Sequence, residues 1–226
     1  MKYDPIKRSL GVVFNKKPFL RKLFYWLLDL LLLRAWHIKK AIRFWKKNYK
    51  NEANILDAGS GFGQYSYYLS KQSHNWDILG VDVKTEQIED CNNFFSKIGR
   101  SDRVTFEFAD LTKFEKKDNY DLILSVDVME HIEEDVIVFK NFHKSLKNGG
   151  MVLISTPSDQ GGSDVHDEDD HSFIDEHVRG GYNIDEIVEK LKSAGFTKVE
   201  ARYAYGAPGK ISWKLSMKYP ILLLNA

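Results

Sequence analysis

Cysteine is nearly absent from this chain. Of its 226 residues only Cys91 carries a thiol, which excludes an intramolecular disulfide framework and any multi-cysteine zinc site. A reducing, cytoplasmic setting is the expectation. Proline is also scarce, at 5, beside 15 glycines, so the chain is neither collagen-like nor a proline-rich linker. No apolar run reaches the roughly 20 residues that a membrane-spanning helix needs. The greasiest, residues 23–33, is short, is broken by Asp29, and is crowded on both sides by Lys22, Arg34 and their neighbours. It is a poor signal peptide too, because mixed sequence precedes it and no small-residue cleavage site follows. With 43% hydrophobic and 29% charged residues, one globular domain with extensions is expected.

A net charge of +1 conceals strong segregation. Residues 1–50 hold fourteen Lys/Arg against two Asp/Glu, residues 51–200 fifteen against thirty, and residues 201–226 four against none. The basic front is apolar as well, and Trp26, Trp36 and Trp45 suit an interfacial helix whose lysines face anionic headgroups. The alternative is a helical cap over a soluble core. The tail, with Trp213, Lys214, Lys218 and Ile221 to Leu224, has the same character. Contact with an anionic membrane surface, peripheral and on the cytoplasmic side, is therefore expected of residues 1–50 and 205–226. No nucleic-acid partner is expected, because the lysines are interleaved with leucine.

Between them, residues 51–204 alternate strand and helix. Strands are expected at 54–57, 77–82, 104–109, 120–126, 151–155 and 198–204, and helices at 64–71, 85–98, 133–147 and 183–194, with Thr85 and Asn183 as N-caps and Gly149-Gly150 ending the third helix before its strand. Tyr120 to Val126 is a continuous apolar run, as in a strand covered on both faces. The alternation predicts an α/β, Rossmann-like, doubly wound and mostly parallel sheet with helices on both faces, plus the N-terminal helical extension.

The most informative stretch runs from Ile55 to Gly63. Gly59, Gly61 and Gly63 follow the first strand, where glycine lets the backbone turn tightly and approach a ligand at a helix N-terminus. The spacing departs from the dinucleotide pattern, with Gln64 where that loop continues. Asp57, just before the glycines, offers a carboxylate to a ligand ammonium group. Asp82 ends the second strand, where a carboxylate can accept from both ribose hydroxyls. Asp110 ends the third, placed to accept from an adenine amino group, with Leu111 offering its backbone N–H.

The glycine loop, Asp82, Asp110 and the segment Val126-Asp127-Val128-Met129-Glu130-His131-Ile132 together resemble class I S-adenosylmethionine-dependent methyltransferases over about residues 50–200. The resemblance is nearest to the subgroup of ubiquinone-biosynthesis O-methyltransferases, whose fourth strand also runs into a Glu-His turn. It implies S-adenosyl-L-methionine as cofactor, with the loop and Asp57 on its methionine moiety, Asp82 on the ribose, Asp110 at the adenine and Val126 in contact. The sixth strand of that fold is expected, whereas the seventh is not evident, because Gly206, Pro208 and Gly209 break the chain.

For a hydroxyl nucleophile, a histidine is a suitable base, and His131 follows the fourth strand. Glu130 and His131 alternatively brace the next helix. Residues 158–181 read as a lid between glycine pairs, with His171, His177 and Arg179 lining the acceptor pocket. A divalent ion on Asp127, Glu130 and His131 is a weaker alternative, and no metal is expected. The resulting expectation is O-methylation of a lipid-like or amphipathic small molecule at a membrane surface. The rivals are a methyltransferase of a soluble metabolite and a non-catalytic, cofactor-binding membrane protein.

Overall fold

The computed structural model describes residues 17–47, 52–160 and 178–204. The chain enters through two helices, α1 (Pro18–Leu31) and α2 (Leu33–Lys46), jointed at Leu32, whose extended backbone (φ −98°, ψ 107°) ends one helix and starts the next. Pro18 opens α1, where its missing N–H costs nothing. There follow β1 (Ala53–Ala58), α3 (Gln64–Ser70), β2 (Trp76–Asp82), α4 (Thr85–Lys97), β3 (Val104–Phe108), β4 (Tyr120–Val126), a single 3₁₀ turn (Met129–His131), α5 (Asp135–Ser145), β5 (Leu146–Ser155) and α6 (Ile184–Ser193). All pairings are parallel, in the order β3-β2-β1-β4-β5. The order reverses between β1 and β4, and a ligand crevice opens at such a point, beyond the strands' carboxyl ends.

Side-chain alternation splits the sheet between two cores. Ile55, Ile78, Phe106, Leu122 and Leu124 face one, filled from α1 to α4 by Tyr25, Trp45, Leu69 and Phe94. Leu56, Val81 and Ile123 face the other, filled from α5 and α6 by Phe139, Phe142 and Leu191. Each large side chain buried this way is worth about 1.5–3 kcal/mol. Strands covered on both faces explain the uninterrupted apolar run of β4.

Three expectations change. Thr85 is the first helical residue of α4 rather than its cap, and the N-cap Lys84 makes no side-chain capping bond. Gly149 and Gly150 do not separate a helix from a strand. β5 begins at Leu146, opposite Tyr120, and the register slips before Leu122 pairs with Met151, so the glycines lie in the irregularity. Residues 198–204 form no strand. Among the described residues after Ser155, an isolated parallel bridge joins Ser158 to Tyr182.

The extension is packed onto the sheet domain. Arg21 is 2% exposed; its guanidinium donates to Tyr25 Oη (2.7 Å), the Asp90 carbonyl (2.9 Å), the Phe62 carbonyl (2.9 Å) and Cys91 Sγ (3.1 Å). Tyr25 Oη donates to the same Phe62 carbonyl. Asp29 accepts from Gln64 (2.8 Å) and pairs with Lys39. Arg21→Ala would strip donors from buried acceptors, so we expect a stability loss on the order of 3 kcal/mol. Urea unfolding measures it, and an unchanged midpoint would mean that α1 is not part of the folded unit.

Candidate functional site

The glycine loop leaves β1 and is held by its backbone. The amides of Gly59 and Ser60 both donate to the Val81 carbonyl at 2.9 Å, and the Gly61 amide donates to Asp82 Oδ2 at 2.9 Å. Gly63, left-handed at φ +72°, is the N-cap of α3. The glycines differ in what they serve. A Cβ on Gly59 would lie 2.3 Å from Val128 Cγ2, so packing demands that glycine. A Cβ on Gly61 would meet nothing nearer than Gln87 Oε1 at 3.9 Å, yet its φ is +50°. That backbone is left-handed and faces open space, as a ligand-facing position would.

The carboxylates divide by burial. Asp82 accepts at one oxygen from Gly61 and at the other from the Lys84 amide (3.0 Å). Each oxygen keeps a further acceptor site for a hydroxyl. Asp110 receives the amide and hydroxyl of Thr112 at Oδ1 (3.0 and 2.7 Å), and these bonds hold its pKa below the usual carboxylate range. Leu111 is buried, and its carbonyl accepts from Asn141 (3.0 Å), so only its backbone can serve the crevice. Val126 is half-buried at the end of β4. Val83, 57% exposed beside Asp82, is an apolar surface on the crevice rim.

Asp57 departs from expectation. It is buried, and its Oδ2 accepts from Ser66 Oγ at 2.6 Å. Burial pushes its pKa up to about 6. The carboxylate braces the first turn of α3 from behind the loop rather than lying open to a ligand ammonium. A serine one helical turn into the element after the loop is the sequence signal for this brace.

The turn after β4 holds groups that the sequence reading weighed differently. Asp127 has a left-handed backbone (φ +53°), uncommon for a residue with a side chain. Its carboxylate pairs with Arg34 of α2 at 2.6 Å. Glu130, not His131, is the buried member of the Glu-His pair. It is 2% exposed, accepts from Thr156 Oγ1 (3.2 Å), and has its pKa raised to about 7 by burial and by Asp127. His131 is exposed on the same 3₁₀ turn. A raised carboxyl beside a crevice is a functional-site signal.

His171 and His177, with most of the expected lid, lie outside the described residues. The lid's base is closed by the Tyr182 amide on the Pro157 carbonyl (2.9 Å) and the Asp159 amide on the Tyr182 carbonyl (3.1 Å). Arg179 reaches the turn after β4. It pairs with buried Asp135 and donates to Tyr182 Oη (2.8 Å) and the Ile132 carbonyl (2.6 Å), while Tyr182 and Lys190 also reach Asp135. This cluster fastens the chain after the lid to the turn that carries Glu130. Among the described residues, no group of three or more His, Cys, Asp or Glu side chains is placed to hold a metal ion.

A loop bonded by its backbone to the second strand, with an acid at each of three strand ends, lies within one known family of domains, the methyltransferase domain. The chain belongs to it: the family's model, described as a methyltransferase domain, matches residues 49–199. A phosphoethanolamine N-methyltransferase of Arabidopsis thaliana is 33% identical over 167 residues, covering 69% of this chain and 31% of that protein. A malonyl-[acyl-carrier protein] O-methyltransferase of Ilyobacter polytropus is 31% identical over 103 residues, covering 46% of this chain and 39% of that one. The chain thus spans under half the length of these relatives. The Haemonchus contortus phosphoethanolamine N-methyltransferase 2 structure with S-adenosyl-L-methionine superposes with a TM-score of 0.61 at 22% identity, over 76% of this chain and 41% of that one, and shows the shared fold. The ubiquinone-pathway subgroup is not among these likenesses.

S-adenosylmethionine is the cofactor that the methyltransferase family implies, and the residues present fit it. Gly61 leaves room at the loop, Asp82 has acceptor sites left, and Ser60 Oγ in the loop is buried without a hydrogen-bond partner. Asp82→Ala removes a charged acceptor from the Gly61 amide and from the ribose that Asp82 is expected to hold, so we expect affinity for S-adenosylmethionine to fall more than about tenfold by calorimetry. Gly61→Val should bind more weakly still; near-normal affinity in either variant would refute the assignment.

Glu130 also predicts a pH dependence. The unfolded chain releases this proton near pH 4.5 and the native chain only near 7. Stability therefore falls as pH rises through that window, by up to roughly 3 kcal/mol. Thermal unfolding of Glu130→Gln should show a visibly flatter slope than the parent across it, with Asp57 leaving a residual slope of the same sign. Parallel curves would show that Glu130 ionises normally.

Proposed function

We propose that this chain transfers a methyl group from S-adenosylmethionine to a small zwitterionic or amphipathic acceptor, with an amine of the ethanolamine-phosphate kind as the first candidate. The observation that carries the reading is the turn after β4, where Asp127 and buried Glu130 sit beside Arg34 of α2. The Asp127 carboxylate suits an ammonium group, and the guanidinium next to it suits a phosphate. The names of the plant relatives support the same acceptor.

When bound, the cofactor supplies an electrophilic methyl on its sulfonium, and the chain supplies orientation. The Asp82-braced loop fixes one reactant. Asp127, held left-handed and paired to Arg34, aims its charge at the other. The acceptor must lose a proton. His131, on the exposed side of the turn, is the assigned base, with His171 and His177 of the lid as further candidates, and Glu130 holds the turn from its buried side. The oxygen acceptor expected from the sequence remains the second reading, supported by the malonyl-carrier O-methyltransferase likeness. A lipid-like acceptor at the cytoplasmic face of a membrane belongs to the same proposal.

The test incubates the protein and methyl-labelled S-adenosylmethionine with ethanolamine phosphate, then with a whole-cell lipid extract, and partitions the label. Label on the soluble amine supports the first reading. Label in the organic phase shifts the acceptor to a lipid. Asp127→Asn should cut kcat/KM for the amine at least about tenfold while leaving cofactor affinity within about twofold. No transfer to any acceptor, with cofactor bound, would overturn the catalytic reading.

A further inference from the structure

Helix α1 has two opposed faces, and among the described residues only one is packed against the sheet domain. Arg21 and Tyr25 point inward to the glycine loop. Phe19, Leu23, Trp26 and Leu30, spaced four, three and four residues apart, fall on the other side and are exposed, Phe19 at 72% and Trp26 at 57%. On α2, Trp36 and Phe44 are exposed as well, at 54% and 70%. The remaining exposed positions between Lys17 and Lys47 are equally selective: every exposed residue of the extension is either a large apolar side chain or a lysine or arginine. Its one acid, Asp29, is occupied by Lys39 and Gln64.

We propose that this outer face of α1, with the exposed end of α2, docks on an anionic lipid surface. The inference rests on the membrane part of the reading above and not on the acceptor. Charge chooses the occupant. Residues 17–47 carry nine Lys/Arg against one Asp, so a second copy of the same face would be repelled. The tail, residues 205–226, has three lysines and no acid, and is repelled likewise. Aromatic and leucine side chains flanked by lysine are what an acyl–headgroup boundary accepts, the rings entering the interface and the lysines meeting phosphate. Among the described residues no helix is long and apolar enough to cross a membrane, so the contact is lateral. The same helix holds the Phe62 carbonyl of the glycine loop through its inward face.

Co-sedimentation of the full chain with vesicles tests this. The protein should pellet with phosphatidylcholine vesicles containing phosphatidylglycerol, much less with phosphatidylcholine alone, and less as salt rises. The Phe19→Ser/Trp26→Ser double variant should lower the partition coefficient at least about tenfold. S-adenosylmethionine affinity, measured in parallel, should stay at the parent value and shows that the variant is folded. A parent protein that stays in the supernatant overturns both the docking face and the membrane reading. A double variant that pellets as well as the parent overturns the face alone and moves the contact elsewhere in the chain. Equal pelleting with neutral and anionic vesicles overturns the charge argument on which the occupant was chosen.

Discussion

The Gly61 amide bonded to Asp82 is the contact on which the site depends. It ties the end of β2 to the turn leaving β1, and so makes two strands and one loop a single body. The Gly59 and Ser60 amides on the Val81 carbonyl hold the same turn from its other residues. From the opposite side, Arg21 and Tyr25 of α1 hold the Phe62 carbonyl. A backbone segment with three left-handed glycines has little intrinsic preference for one shape. Here its hydrogen-bonding groups are gripped on both edges, which pre-organises it for a ligand rather than leaving the ligand to order it.

The acids around the crevice do different work because their surroundings differ. Asp82 and Asp110 are bonded by backbone amides at strand ends. Asp57 and Glu130 are buried beneath the loop and the turn, and burial raises their pKa values to about 6 and about 7. Asp135 is equally buried, yet Arg179, Tyr182 and Lys190 converge on it and keep it ionised, with a lowered pKa. Residues of one chemical type thus stand as backbone-bonded acceptor, structural brace and ionic fastener. Asp127 and Arg34 bring the extension into the site, because one partner follows β4 and the other lies on α2.

Much of this was legible in the chain. The apolar run of β4 was placed to the residue, because strands covered on both faces leave no alternation to misread. Asn183 was recognisable as a cap, and its Oδ1 does accept from the Asp185 amide. The segment 198–204 alternates like an edge strand but forms none, because alternation along the chain does not by itself supply a ladder partner. Gly149 and Gly150 carry the composition of a break, yet a register slip in β5 absorbs them. The burial of Asp57 was not legible for a similar reason: a carboxylate before a glycine loop looks the same in sequence whether it stands open or accepts from a serine behind it.

The sequence by itself determined the parallel sheet, the glycine turn and the acids at the strand ends, because strand period, glycine spacing and chain order are local properties. Only the tertiary structure decided which acids are buried, that Glu130 rather than His131 lies inside, and that Arg21 and Arg34 reach from the basic extension to Phe62 and Asp127. Those outcomes depend on which surfaces meet across tens of residues. The energy of a charged group is set by that meeting, through lost water and gained partners, and not by its neighbours along the chain.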